Sequence, residues 1–171
     1  MGDTGNDCLL SADGTDIRIA KKYAKDFWSY KFKKCGLRYE VALCIKTGYI
    51  CWWNGPFQPG KYNDDMIFNM GLVGELEDGE RVETDGGYRG SCPRYAKCPG
   101  TVTSDPDTAE MQQRVRSRQE TCNKRLKHWN ILRAPYRHDV LAHQQVFGAI
   151  IVLTQLSLEN GGPLFPVEYN D

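Results

Sequence analysis

"LRYEVALCIKTGYICWWNG", residues 37–55, is the stretch around which the rest of the chain is read. It alternates in character and is rich in Val, Ile, Tyr and Trp on both sides of Thr47-Gly48, the pattern of two antiparallel strands joined by a tight turn. Upstream, "CLLSADGTDIRIA" (8–20) reads as a strand ending near Asp13, a turn at Gly14 and a second short strand. Downstream, the Pro/Gly-rich loop "NGPFQPGKY" leads into "NDDMIFNMGLVGEL" (63–76), a helix with Asn63 and Asp64 as candidate N-caps.

"ERVETD" (80–85) then follows the Asp78-Gly79 turn as a strand with Asp85 at its end, and "GGYRGSCPRYAKCPG" (86–100) reads as loop. "TVTS" (101–104) is a short strand, and residues 105–132 form a long helix with Asp105 as its cap and Pro106 in its first turn. A last helix covers about 138–158 and stops at "ENGGP". This order predicts an α/β fold, a mixed sheet flanked by helices.

Length and composition set the bounds. At 171 residues, with 40% hydrophobic and 26% charged positions, the chain suits one compact domain with a single core. Its longest apolar run, Val146 to Leu153, falls short of the roughly 18 residues that cross a bilayer, so no membrane span is expected. "MGDTGNDCLL" has neither the basic nor the apolar region of a secretory leader, and position 6 is Asn where a myristoylation signal wants Ser or Thr. Seven scattered cysteines speak against a secreted disulfide framework, and the expected location is intracellular, nuclear or cytoplasmic.

Lys+Arg and Asp+Glu balance at 22 each, which excludes a wholly basic, histone-like nucleic-acid binder. The balance conceals segregation. Residues 21–38 hold seven basic side chains against Asp26 alone, interleaved with Tyr23, Phe27, Trp28, Tyr30 and Phe32; residues 111–137 hold eight against Glu120 alone. Such runs are either ordinary solvated faces or a phosphate-binding surface.

Asp13 and Asp85 come at the ends of separate strands, so a third acid at the same place has to come from a helix. Glu120 is the candidate. At 100° per residue, Met111, Val115, Cys122, Leu126 and Trp129 share one sector as the buried stripe. Arg116, Glu120, Asn123 and Lys127 fall on the other side. The plain alternative is that Glu120 only pairs with a basic neighbour three or four residues away, contributing a few tenths of a kcal/mol.

These segments, together with "SADGTDIRI", "ETDGGYRG", "RQETCNKRLKHWNIL" and "YRHDVLAHQQVFGAIIVLTQLSLENGGPLFPVEY", resemble the catalytic domain of the DDE-type endonuclease/transposase superfamily. The Harbinger-like group is the nearest, and the resemblance runs over residues 8–170. It implies a ribonuclease-H-like fold in which Asp13, Asp85 and Glu120 hold divalent metal and cut DNA. The intervals are 72 and 35 residues. Mg²⁺ and Mn²⁺ are hard ions that take carboxylate oxygens and keep waters, whereas a His or Cys set would select zinc. Gly86 and Gly87 would let a DNA backbone or metal-bound waters approach.

Arg116, Asn123, Lys124 and Lys127 are the candidate DNA contacts. Asp16, Asp64 and Asp65 read as turn and cap residues, and His138 and His143 as structural or surface positions. Cys92, Cys98, Cys122 and His128 make a poor zinc set, since CX5C is looser than the usual spacing. Members of the superfamily carry a helical DNA-binding region before the first catalytic aspartate, but only twelve residues precede Asp13 here. Target choice is therefore expected from a separate DNA-targeting protein. Two functions stay open: a metal-dependent DNA endonuclease or strand transferase, and a catalytically silent, domesticated or decayed scaffold that binds DNA or protein.

Overall fold

The computed structural model describes residues 8–100 and 106–167. Its sheet is mixed. β1 (Leu10–Arg18) lies antiparallel to β3 (Lys34–Cys44) from Leu10 opposite Cys44 to Arg18 opposite Gly36, and β3 lies antiparallel to β4 (Ile50–Phe57). On the other side of β1 come β5 (Val82–Glu83) and then β6 (Ala96–Lys97), both parallel. β2 (Trp28–Ser29) pairs with the first residues of β3. β1 is thus the strand where an antiparallel half meets a parallel half.

The expected hairpin is present. Its turn closes through Gly48, whose φ of 74° suits a residue without a Cβ, and through a bond from Gly48 N–H to the Cys44 carbonyl at 2.8 Å. The expected break at Gly14 is absent: β1 is one continuous strand, so Asp13 stands mid-strand and not at a strand end. Glycine serves here for space, not for a turn. A Cβ on Gly14 would collide with the Asp64 carboxylate.

Helices cover both faces. α1 (Asp64–Met70) is capped by Asn63, whose side chain accepts from Met66 N–H at 2.8 Å, and it seats Phe68 against Ala12, Ala42, Val82 and Tyr88. On the opposite face, α2 (Pro106–Leu126), α3 (Asn130–Arg133) and α4 (His143–Glu159) bring Leu126, Leu132, Phe147, Ile150 and Ile151 onto Ile17, Leu37, Tyr39 and Val41. Tyr39 and Phe147 stack at 3.8 Å between ring centroids.

Several boundaries differ from the sequence reading. The long helix ends at Leu126 and resumes as α3, and Trp129 leaves the buried stripe to stand 39% exposed, its indole N–H donating to Thr154 Oγ1 at 3.2 Å. The 86–100 stretch read as loop contains a 3-10 helix, Gly86–Ser91, and β6. The "TVTS" strand and the Asp105 cap fall outside the described residues. Val140–Glu159, at a mean hydropathy of 1.3, is long and apolar enough to cross a membrane by length and composition. Glutamines and a threonine hide that from a search for unbroken apolar runs. Within the fold, Phe147, Ile150, Ile151 and Leu158 turn one face of this segment onto the core.

His143 is a core residue. It accepts or donates at Nδ1 to the Tyr39 hydroxyl at 2.7 Å, and burial pushes its imidazole down to about 4. The unfolded chain therefore takes up a proton between pH 6.5 and about 4 that the folded chain refuses, so this group's contribution to stability is lost as pH falls through that window. Replacing His143 by Gln should remove about 2 kcal/mol of the stability difference between pH 7 and pH 5, read from denaturant melts at the two pH values. An identical pH dependence in the two proteins would contradict this role.

Candidate active site

The site begins with the way α2 is fixed to the sheet. Ser11 and Asp13 point from the same face of β1, and Gln119 and Asn123, one helical turn apart, meet them. Ser11 Oγ donates to Gln119 Oε1 at 2.9 Å, Gln119 Nε2 donates to the Val41 carbonyl at 2.9 Å, and Asn123 Nδ2 donates to Asp13 Oδ2 at 2.8 Å. Gln119 and Asn123 are buried, which corrects the placement of Asn123 on the far side of the helix from the core. A wheel drawn from apolar residues alone misses a helix face that is bonded to its sheet.

Glu120 follows Gln119 and lies at the rim. Asp13, Glu83, Thr84, Asp85, Arg116 and Glu120 border one cleft of about 70 Å³, so the three acids named from sequence share a cavity. The Glu120 side chain is 69% exposed, and its Oε2 stands 3.8 Å from Lys124 Nζ. Asp85 follows β5 and caps the 3-10 helix, accepting from Gly87 N–H at 2.7 Å.

A further acid lies close by without lining that cavity. Asp64, the first residue of α1, is a largely buried group beside Gly14, with Oδ1 3.2 Å from Arg38 Nη1. A Cβ built on Gly87 would meet an Asp85 oxygen at 2.9 Å and an Asp64 oxygen at 3.1 Å, so both carboxylates crowd one glycine. Gly87 thus makes room for acids of this chain. Sequence reading passed Asp64 over as a cap, although Asn63 alone fills that role; the pair of acids after an adequate cap was the available signal.

Crowding and burial change their chemistry. Burial lifts the Asp13 carboxyl to about 6; Lys31 opposes this, and repulsion from Asp85 and Asp64 adds to it. Asp64 is raised by burial against the pull of Arg38 and Lys31. On β3, Glu40 is pushed up to about 8 by burial, beside the Tyr88 hydroxyl and with repulsion from Asp64 and Asp13. Burial lowers Lys127.

The cations stand on the other side of Asp13. Lys31 Nζ donates to the Gly14 carbonyl at 2.8 Å. Lys31, Asn123, Lys124 and Lys127 join Asp13 and Glu120 around a second cavity of about 220 Å³. Arg116 lines the first cavity, with Nη2 donating to Gln113 Oε1 at 2.8 Å. Both basic segments thus reach the acids.

Other acids are structural. Asp16 accepts from Arg38 Nε at 2.7 Å, from Arg38 Nη2 at 3.1 Å and from Ser29 Oγ at 2.5 Å, and these contacts hold its carboxyl below the ordinary range despite burial. Asp65 accepts from Ser91 N–H and Oγ at 2.9 and 2.7 Å. Both are side-chain anchors, not helix caps. Cys122 packs with Leu43 and Leu158, in a different part of the core from Cys92 and Cys98.

Among the described residues, no three His, Cys, Asp or Glu side chains are drawn together closely enough to hold a metal ion. The donors nevertheless suit a hard divalent cation in kind. Asp85 and Asp64 stand close enough to Asp13 to raise its proton affinity, Asp85 does the same to Asp64, and Glu120 borders the cavity of Asp13 and Asp85 while its carboxylate faces Lys124. Comparison of the chain with protein-family models, curated proteins and solved structures finds no match.

The mutual influence of these groups is measurable. Lys31→Met should raise the Asp13 midpoint above about 6, and Asp85→Asn should lower it, because one removes an opposing charge and the other a like charge. Carboxyl carbon NMR titration reads both. Shifts of the same sign in the two variants would show that Asp13 does not feel these charges.

Proposed function

We propose that the cleft binds DNA and performs metal-dependent phosphodiester chemistry as a DDE-type domain of ribonuclease-H-like fold. One observation carries the reading. An acid in the central strand, a second just after its parallel neighbour and a third on the following long helix line a single cavity, and lysines line a second cavity that shares two of these acids. Asp13, Asp85 and Glu120 would hold Mg²⁺ or Mn²⁺, with Asp64 as a further oxygen donor. When bound, such ions activate a water or 3′-hydroxyl and stabilise the leaving oxygen.

The chain's own residues do the rest. Asn123 fixes one Asp13 oxygen, which orients the carboxylate. Lys31, Lys124, Lys127 and Arg116 neutralise phosphates along the groove. Phosphate contacts carry no base information, so the choice of target falls to a separate DNA-targeting protein.

A silent DNA- or protein-binding scaffold is the second reading. What favours it is the engagement of the acids elsewhere, Glu120 with Lys124 and Asp85 with the Gly87 amide. Nicking of supercoiled plasmid with Mn²⁺ separates the two. The enzyme reading expects nicking by the wild-type chain and background levels in Asp85→Asn, with DNA binding retained or strengthened in metal-free buffer as repulsion falls. No nicking by the wild type, or equal nicking by the variant, would overturn it.

Salt dependence tests the groove separately. Log affinity for duplex should fall linearly with log salt, and Lys124→Ala with Lys127→Ala should flatten the slope by about two, roughly one per lysine. An unchanged slope would remove these lysines from the DNA path.

A further inference from the structure

β2 and the start of β3 form a short hairpin whose tip, residues 30–33, brings Lys31 to the cavity lined by Lys124 and Lys127. The tip is built on β2 pairing with Lys34 and Cys35, and Lys33 at φ 56° tightens its return. It is firmly held. Ser29 is fully buried, its Oγ donates to Asp16, its carbonyl accepts from Lys33 N–H at 2.9 Å, and Asp16 is gripped by Arg38.

Two neighbours on this tip part company. Lys31 turns inward to the Gly14 carbonyl and borders the cavity with Lys124 and Lys127. Tyr30, the preceding residue, is 71% exposed, with Lys33 Nζ 5.7 Å from its ring centroid. Tyr23, equally exposed, stands edge-on to Trp28 at 5.2 Å. The anchored hairpin therefore offers Tyr30 to solvent at its tip and Tyr23 at its base, while Lys31, next to Tyr30 in the chain, borders the cavity shared with Asp13 and Glu120.

That combination discriminates between forms of nucleic acid. A duplex shows its phosphates but hides its base faces in the stack, whereas an unpaired strand presents both. Aromatic platforms beside basic grooves are how proteins hold single strands without reading sequence. We propose that Tyr30, with Tyr23 against Trp28 at the base of the same hairpin, is a stacking site for unpaired bases, so that the cleft takes a single-stranded or frayed DNA strand in preference to intact duplex. This rests on the cleft being a phosphate groove, and it names the form of strand that the groove receives.

Fluorescence anisotropy in EDTA tests it without any cleavage, using labelled oligothymidine and a duplex of equal length. The wild-type chain should bind the single strand more tightly. Tyr30→Ala should weaken that binding roughly five- to a hundred-fold and leave duplex affinity unchanged, while Tyr30→Phe, which keeps the ring, should behave as wild type. Thermal melts confirm that each variant is folded, and Tyr23→Ala supplies a second site for the same comparison. Preference for duplex, equal loss on both strand forms, or no effect of Tyr30→Ala and Tyr23→Ala would overturn the proposal. A failure of Mn²⁺-dependent nicking leaves Tyr30-dependent binding standing, and loss of Tyr30 dependence leaves nicking standing, so the two readings fail separately.

Discussion

Asp13, Glu40, Asp64 and Asp85 are four acids gathered around the middle of one strand, and the burial of the first three, with some repulsion among them, has to be offset by the groups around them. Burial and mutual charge push Asp13 to about 6 and Glu40 to about 8, so the folded chain binds protons near neutrality that the unfolded chain releases. For these two groups stability is present at low pH and is lost as pH rises through about 6 and about 8. Folding tolerates this because counter-groups are fixed in place: Arg38 against Asp64 and Asp16, and Lys31 and Asn123 against Gly14 and Asp13. A concentration of carboxylates held at such cost is where physical chemistry looks for function.

The second constraint is that α2 is bonded to the sheet as well as packed on it. Gln119 ties Ser11 of β1 to the Val41 carbonyl of β3, and Asn123 ties the helix to Asp13. Buried amides need these partners, so the helix has one seat along the strand. Glu120 is carried to the rim of the cleft by that seat. The lysines one turn further reach the second cavity for the same reason.

Much of this was legible in the sequence where pattern is local. The Thr47-Gly48 hairpin, the Asn63 cap, the long helix from Pro106 and the end of the last helix at Glu159 all follow from periodicity and turn chemistry. The expectation of a mixed sheet flanked by helices agrees with the structure, and Asp13, Asp85 and Glu120 do share a cavity. What pattern could not show was tertiary. Gly14 looked like a turn because its reason for being glycine, the Asp64 carboxylate, lies 50 positions away. Asn123 looked exposed because its partner is on another element, and two-residue strands such as β5 and β6 are too short to have a period.

The proposal that Asp13, Asp85 and Glu120 would hold a divalent cation is tested most directly by diffraction from crystals soaked in Mn²⁺. The account predicts anomalous density between Asp13 and Asp85, with the Glu120 side chain withdrawn from Lys124 toward it. Saturating Mn²⁺ with no anomalous density at these carboxylates would contradict it.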